Sequence, residues 1–139
     1  MGTLNLEECG YQYYKQPRSS ARASFGRILS DITLHPNGKL YTISTIDDQF
    51  GIALYEFDLI QVTLSQPIKV FPLEGVNSLT CDQDGTFYFG FNKLYSYNLE
   101  TDEFRSHGEL PGDKELAGDL VFYDGQLYGG VLVSSYQLQ

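Results

Sequence analysis

One short phrase recurs three times along this chain, and the recurrence limits the fold more than any other feature. The copies are Asp31-Ile-Thr-Leu-His-Pro-Asn-Gly-Lys-Leu-Tyr41, Ser78-Leu-Thr-Cys-Asp-Gln-Asp-Gly-Thr-Phe-Tyr88 and Asp119-Leu-Val-Phe-Tyr-Asp-Gly-Gln-Leu-Tyr128. Apolar residues alternate with polar ones before and after each turn, as in Ile32, Leu34 and Leu40, or Leu79, Cys81, Phe87 and Phe89. That two-residue period is the pattern of a half-buried strand. Asn37-Gly38, Asp84-Gly85 and Asp124-Gly125 favour the left-handed φ values of turns that match strand twist. Each phrase therefore reads as strand, tight turn and second strand, ending in tyrosine.

A third strand follows at a fixed distance. Leu54-Tyr-Glu-Phe-Asp-Leu59 matches Leu94-Tyr-Ser-Tyr-Asn-Leu99 and, more loosely, Ser134-Ser-Tyr-Gln-Leu138. Phe57 to Gly85 and Tyr97 to Gly125 both span 28 residues, whereas the turn glycines Gly38, Gly85 and Gly125 are 47 and 40 apart. The seven extra residues of the first repeat therefore lie between its second and third strands, within Ser44 to Ile52. A fourth strand is expected at Glu103-Phe-Arg-Ser-His107 and, less regularly, between Val62 and Val70, where Pro67 marks an edge. No segment has a helical period of useful length. Hairpin units of about 40 residues, stacked in series, are the signature of β-propeller blades.

The expected fold is thus all-β and propeller-like, with about three blades of antiparallel meander. Residues 1–27 form an N-terminal segment, read as a blade-closing strand plus linker. Residues 28–139 carry the repeats, at about 28–73, 74–113 and 114–139, the last incomplete. Propellers commonly have four to eight blades, and three leave raw edges and apolar faces. The chain is read either as part of a larger propeller or as a half-ring that a second copy completes as a homodimer.

Composition narrows the partners. Eighteen acidic against nine basic residues give a formal charge of −9, which disfavours nucleic acid and anionic membrane surfaces. There is no apolar run long enough to insert into a membrane, and the acidic start, Glu7-Glu8, is unlike a signal peptide. Cys9 and Cys81 allow at most one disulfide; Cys81, in an apolar strand position, reads better as a buried free thiol.

The phrase beginning at Asp31 and its copies resemble the propeller-type repeats of large bacterial cell-surface proteins associated with gliding and adhesion. The likeness is strongest in Ala117-Gly-Asp-Leu-Val-Phe-Tyr-Asp-Gly-Gln-Leu-Tyr128, and in Leu94-Tyr-Ser-Tyr-Asn-Leu-Glu-Thr101 for the third strand. It covers residues 28–139. It implies an exported, extracellular or cell-surface modular protein with a binding or spacing role, and supplies no catalytic residue to carry over.

Candidate sites follow from strand order. In a meander blade the loop between strands two and three shares an end with the blade linkers, and the Gly turns lie at the other end. The enlarged loop with Asp47, Asp48 and Phe50 then joins Asp31 and Asp119, at the starts of first strands, around the mouth of the axis. Such a rim suits a sugar hydroxyl, a protein partner or a hard cation, of which Ca2+ is the candidate. The plain alternative is that Asp31 and Asp119 cap local backbone and that Asp47-Asp48 is a solvated loop. Asp82-Gln-Asp-Gly85 lacks the further oxygen ligands of a calcium loop and reads as a turn. His35 and His107 stand apart in sequence, without metal-ligand spacing or a nucleophile elbow. The stretch from Lys15 to Arg27, with four of the nine basic residues, reads as a linker. Tyr11, Tyr13 and Tyr14 read as strand core before they read as a stacking surface.

The leading expectation is a non-catalytic interaction module that binds a protein or glycan at the end bearing the 44–52 loop. Two others stand beside it: a metal-dependent, lactonase-like enzyme of the six-bladed kind, and a structural spacer or oligomerisation unit.

Overall fold

The structure is a computed structural model that describes residues 2–5, 10–13, 18–19, 29–46 and 49–132, with side-chain surroundings given within the last two stretches. It is an all-β protein whose sheets are antiparallel except for the short parallel pairing of the third and seventh strands, with no α-helix among the described residues. Strands β1 (Gly2–Asn5) and β2 (Gly10–Tyr13) pair with each other as a separate hairpin. The first large sheet contains β3 (Arg18–Ser19), β4 (Leu29–Leu34), β5 (Leu40–Thr45), β6 (Ile52–Asp58) and β7 (Thr63–Leu64), in the order β3-β7-β6-β5-β4. Strand β8 (Lys69–Phe71) also pairs with β6, so the position beside β6 is split around Pro67, with β3 pairing outside β7. Proline has no N–H to give a ladder, which accounts for the break.

The second sheet is a four-stranded meander of β9 (Ser78–Cys81), β10 (Thr86–Gly90), β11 (Lys93–Asn98) and β12 (Glu103–Glu109). The third is the hairpin β13 (Glu115–Tyr123) and β14 (Gln126–Leu132), entered through a 3-10 turn at Pro111–Asp113. First strands lie side by side, with β9 packed between β4 and β13. Each sheet is open, and no closed sheet forms among the described residues.

The three turns form where the glycine dipeptides stand, but in two shapes. In the first, His35 N–H donates to Lys39 O and Gly38 N–H to His35 O, both at 2.9 Å. In the second, Asp82 N–H donates to Thr86 O and Gly85 N–H to Asp82 O. These are three-residue loops in which glycine takes the left-handed position, φ 86° and 84°. The third phrase is one residue shorter. Its Tyr123 pairs directly with Gln126, and both central residues, Asp124 (φ 50°) and Gly125 (φ 74°), are left-handed, as a two-residue I′ loop requires.

The main core fills the space between the first two sheets. Tyr41, Ile43, Ile52, Leu54 and Phe71 from one meet Leu79, Phe87, Phe89 and Tyr97 from the other, all buried. Phe71 has the rings of Phe89, Tyr97 and Phe104 within 5.0–5.3 Å. Ala53, Tyr55, Phe57 and Leu64 are buried on the opposite side of the first sheet. The second sheet differs on its two faces. Leu79, Cys81, Phe87, Phe89 and Tyr97 point to the core, while Thr80, Tyr88, Ser96 and Arg105 form a polar row on the face toward the third hairpin.

Candidate functional site

The two ends of the sheet array carry different chemistry. At the linker end, strand pairing places Asp31 at the inner edge of the first sheet. Its Oδ1 accepts from Ile32 N–H and its Oδ2 from Leu79 N–H, both at 2.8 Å. The second bond crosses from sheet one to sheet two, so this carboxylate joins them. Burial pushes the Asp31 carboxyl above its ordinary range; the two backbone N–H groups pull it down, and the charge of Asp119 adds to the rise. The fold thus brings Asp31 and Asp119 within electrostatic reach although 88 residues separate them. Phe50 stands 69% exposed on the enlarged loop, beside the buried Gly51. Asp47 and Asp48 lie outside the described residues, as do Cys9, Tyr14 and the third strand expected at Ser134–Leu138. Among the described residues no group of three or more His, Cys, Asp or Glu is placed to hold a metal ion.

At the turn end the three hairpin loops converge on an open depression of about 720 Å³. Leu34, His35 and Pro36 come from the first loop; Asp82, Gln83 and Asp84 from the second, with Cys81 before them; Phe122, Asp124 and Gly125 from the third. Leu34, Pro36 and Phe122 contribute apolar groups to its lining and Asp82, Asp84 and Asp124 contribute carboxylates. Such a lining takes a group with an apolar body and a cationic or hydroxylated tip.

The loops themselves are held by side-chain acceptors. Asp82 Oδ1 accepts from Asp84 N–H and Thr86 N–H at 2.9 Å. His35 does the same work with its ring, Nδ1 accepting from Asn37 N–H at 3.0 Å. The proton of the ring then resides on Nε2, which is buried without a partner. That edge faces Gly85, where a Cβ would come within 2.9 Å of Nε2. Tyr41 and Phe87 flank the ring, with centroids 5.5 and 5.4 Å away. His35 is thus a turn residue clamped by the neighbouring sheet, and Asp82-Gln-Asp-Gly85 is a turn, as its spacing suggests. Cys81 is a free, half-buried thiol; burial, then the charge of Asp82, pushes it up to about 12. At neutral pH it is protonated and a poor nucleophile.

The remaining histidine belongs to a smaller groove of about 270 Å³ on the polar face of the second sheet. Ser96 Oγ lies 2.8 Å from His107 Nε2, and Tyr88 stacks on the His107 ring at 6.0 Å. Serine beside histidine is part of a hydrolytic set. The other parts, an orienting acceptor on Nδ1 and convergent oxyanion donors, are not among the described contacts of this pair.

Of the residues singled out from the sequence, Asp31 and Asp119 lie within electrostatic reach of each other and Phe50 is exposed. The turn-end depression is the feature that pattern reading passed over, because its residues read as turn chemistry. Their recurrence at one place in every repeat is the signal that points to a shared end. Comparison with known proteins finds no family model that matches this chain and no curated protein that matches it.

Proposed function

We propose that this chain is a propeller-type interaction module, three blades of an array that binds a protein or glycan segment without transforming it. The observation that carries the reading is the turn-end depression, formed jointly by all three repeats. First strands packed side by side support the blade reading, as does the residue-level likeness to exported bacterial surface repeats. That likeness makes an extracellular or cell-surface setting part of the same proposal. A lining of carboxylates and apolar side chains favours a partner segment that presents lysine or arginine beside an aliphatic or aromatic residue.

A glycan array and a peptide array probed with the purified chain test the reading. Binding that Asp84→Lys together with Asp124→Lys abolishes, and that deletion of 46–50 leaves intact, assigns the partner to the turn end. Loss on deletion of 46–50 alone moves the site to the linker end, where Phe50 is exposed. The second reading, a calcium ion at the linker end as in metal-dependent propeller enzymes, is favoured by the closeness of Asp31 and Asp119. It requires calcium to raise the melting temperature of the chain, and Asp119→Asn to remove that rise.

A further inference from the structure

The first hairpin loop differs from the other two in one chemical respect. The residue before its left-handed glycine is Asn37, where the second loop has Asp84 and the third Asp124. Asn37-Gly38 is also the one Asn-Gly step in the sequence. An asparagine before glycine can modify itself, because glycine has no Cβ to shield its backbone nitrogen from the neighbouring amide carbon.

The step needs only water. Gly38 N gives its proton to solvent and attacks Asn37 Cγ. An N–Cγ bond forms and closes a cyclic imide, the Cγ–Nδ2 bond breaks, and Nδ2 leaves as ammonia with a proton from solvent. Water then opens the imide. Addition at Cγ leaves aspartate with the main chain unchanged. Addition at the Asn37 backbone carbonyl carbon leaves isoaspartate, whose main chain runs through Cβ and Cγ and is one carbon longer.

The folded loop opposes the attack at both partners. Gly38 N–H donates to His35 O at 2.9 Å, so the nucleophile is tied. Asn37 Nδ2 donates to Tyr41 Oη and Oδ1 accepts from Lys39 N–H, each at 2.9 Å, so both ends of the amide are held. Asn37 N–H donates to His35 Nδ1 at 3.0 Å, which fixes the backbone beneath it. The anchors Tyr41 and His35 are both buried, and both pack on Phe87 of the second sheet.

We propose that Asn37 is a deamidation site that the intact first hairpin protects and that opening of the hairpin exposes. The first loop is the one of the three without a carboxylate, and conversion supplies one. Aspartate suits the place, since Asp84 holds it in the second loop with the same closing bonds. Isoaspartate does not, because it lengthens the main chain between Gly38 N–H and its acceptor His35 O. A chain converted that way keeps a lasting record that this hairpin once opened.

The full chain, aged at mildly alkaline pH with and without urea, tests this. Digestion and mass spectrometry read the replacement of NH2 by OH on the peptide holding Asn37, and an enzymatic isoaspartate assay reads the longer product. Conversion is expected to be roughly tenfold faster or more in urea, because the folded rate is scaled by the fraction of time the hairpin is open. Tyr41→Phe, which removes the acceptor of Nδ2, is expected to convert severalfold faster than wild type when folded and at the wild-type rate in urea. Equal wild-type rates with and without urea overturn the proposal. So does conversion in urea at Asn77-Ser78 ahead of Asn37, or a Tyr41→Phe chain, folded by circular dichroism, that converts no faster than wild type. Sub-denaturing urea on the wild type keeps the test open if Tyr41→Phe does not fold. Conversion is expected to rise in step with hydrogen exchange of the Gly38 amide, and conversion that does not follow that exchange overturns the proposal.

Discussion

At the scale of single residues, two positions show how one atom's placement decides an outcome. Gly85 combines a left-handed φ of 84° with a Cβ direction blocked by His35 Nε2, whereas Gly125, at φ 74°, faces open space. Alanine at either costs about 1–2 kcal/mol for the left-handed backbone. At Gly85 the blocked ring adds to that, because His35 is clamped between Tyr41 and Phe87. Urea titration is expected to rank Gly85→Ala as the more damaging of the two by about 1 kcal/mol or more. Asp31 gives a pH-dependent counterpart. Its carboxyl lies above the ordinary value of 3.8 in the folded chain, so the protonated form is the one the fold prefers. Its contribution to stability is complete below 3.8 and is lost as pH rises through the folded value. Burial is the main cause of the rise and the charge of Asp119 adds to it, so NMR titration is expected to show the Asp31 midpoint falling in Asp119→Asn. An unmoved midpoint would remove Asp119 from the account. Neither effect is legible in sequence. The Asp31 bond to Leu79 spans 48 residues, and nothing local says that a histidine nitrogen stands in for the aspartate oxygen of the next turn.

At the scale of elements, much more was legible, since strand alternation and turn chemistry act over a few residues. The hairpins form at Gly38, Gly85 and Gly125, and the fourth strand of the first sheet breaks around Pro67. The difference between the two loop shapes follows from residue count, since the third phrase lacks one residue before its glycine. What pattern alone leaves open is which face of each strand meets which neighbour, because alternation marks two faces without naming their partners. Phe71 illustrates this. It belongs to the short, irregular β8, yet it is fully buried among Phe89, Tyr97 and Phe104 of the next sheet. Nearby, Lys69 Nζ and Tyr97 Oη both bond Asp102 Oδ1 at 2.9 Å, and the Lys69 ammonium lies 5.7 Å from the Tyr97 ring centroid. These two bonds hold the exposed Asp102 carboxyl below its ordinary range, and burial, then the Asp102 bond, pushes the Tyr97 hydroxyl up to about 12. Phe71→Ala is expected to cost about 3–5 kcal/mol in chemical denaturation. Lys69→Ala, at a half-buried side chain paired with the exposed Asp102, should cost no more than about 1 kcal/mol. A small effect at Phe71 would mean that the two sheets are held mainly by their inner strands.

At the scale of the whole molecule, the contacts are made in series: the first sheet on the second, the second on the third. In an arrangement of this kind stability is close to a sum of unit and neighbour terms. The third hairpin has one described neighbour, tied to it by Tyr88 on Phe122, by Asn77 Nδ2 donating to Leu116 O at 2.6 Å, and by Leu116 N–H donating to Phe91 O at 2.8 Å. The second sheet has neighbours on both sides. Local opening then follows the order of the chain's own support. Amide hydrogen exchange is expected to be fastest in β13 and β14, slower in β4 to β6 and slowest in β9 and β10, whose opening requires losing both joints. Uniform protection across the three sheets would show that they unfold as one unit. The uneven support has a practical meaning for the molecule in use. A hairpin supported from one described side opens without unfolding the rest, so limited proteolysis is expected to cut within β13 and β14 before it reaches the second sheet.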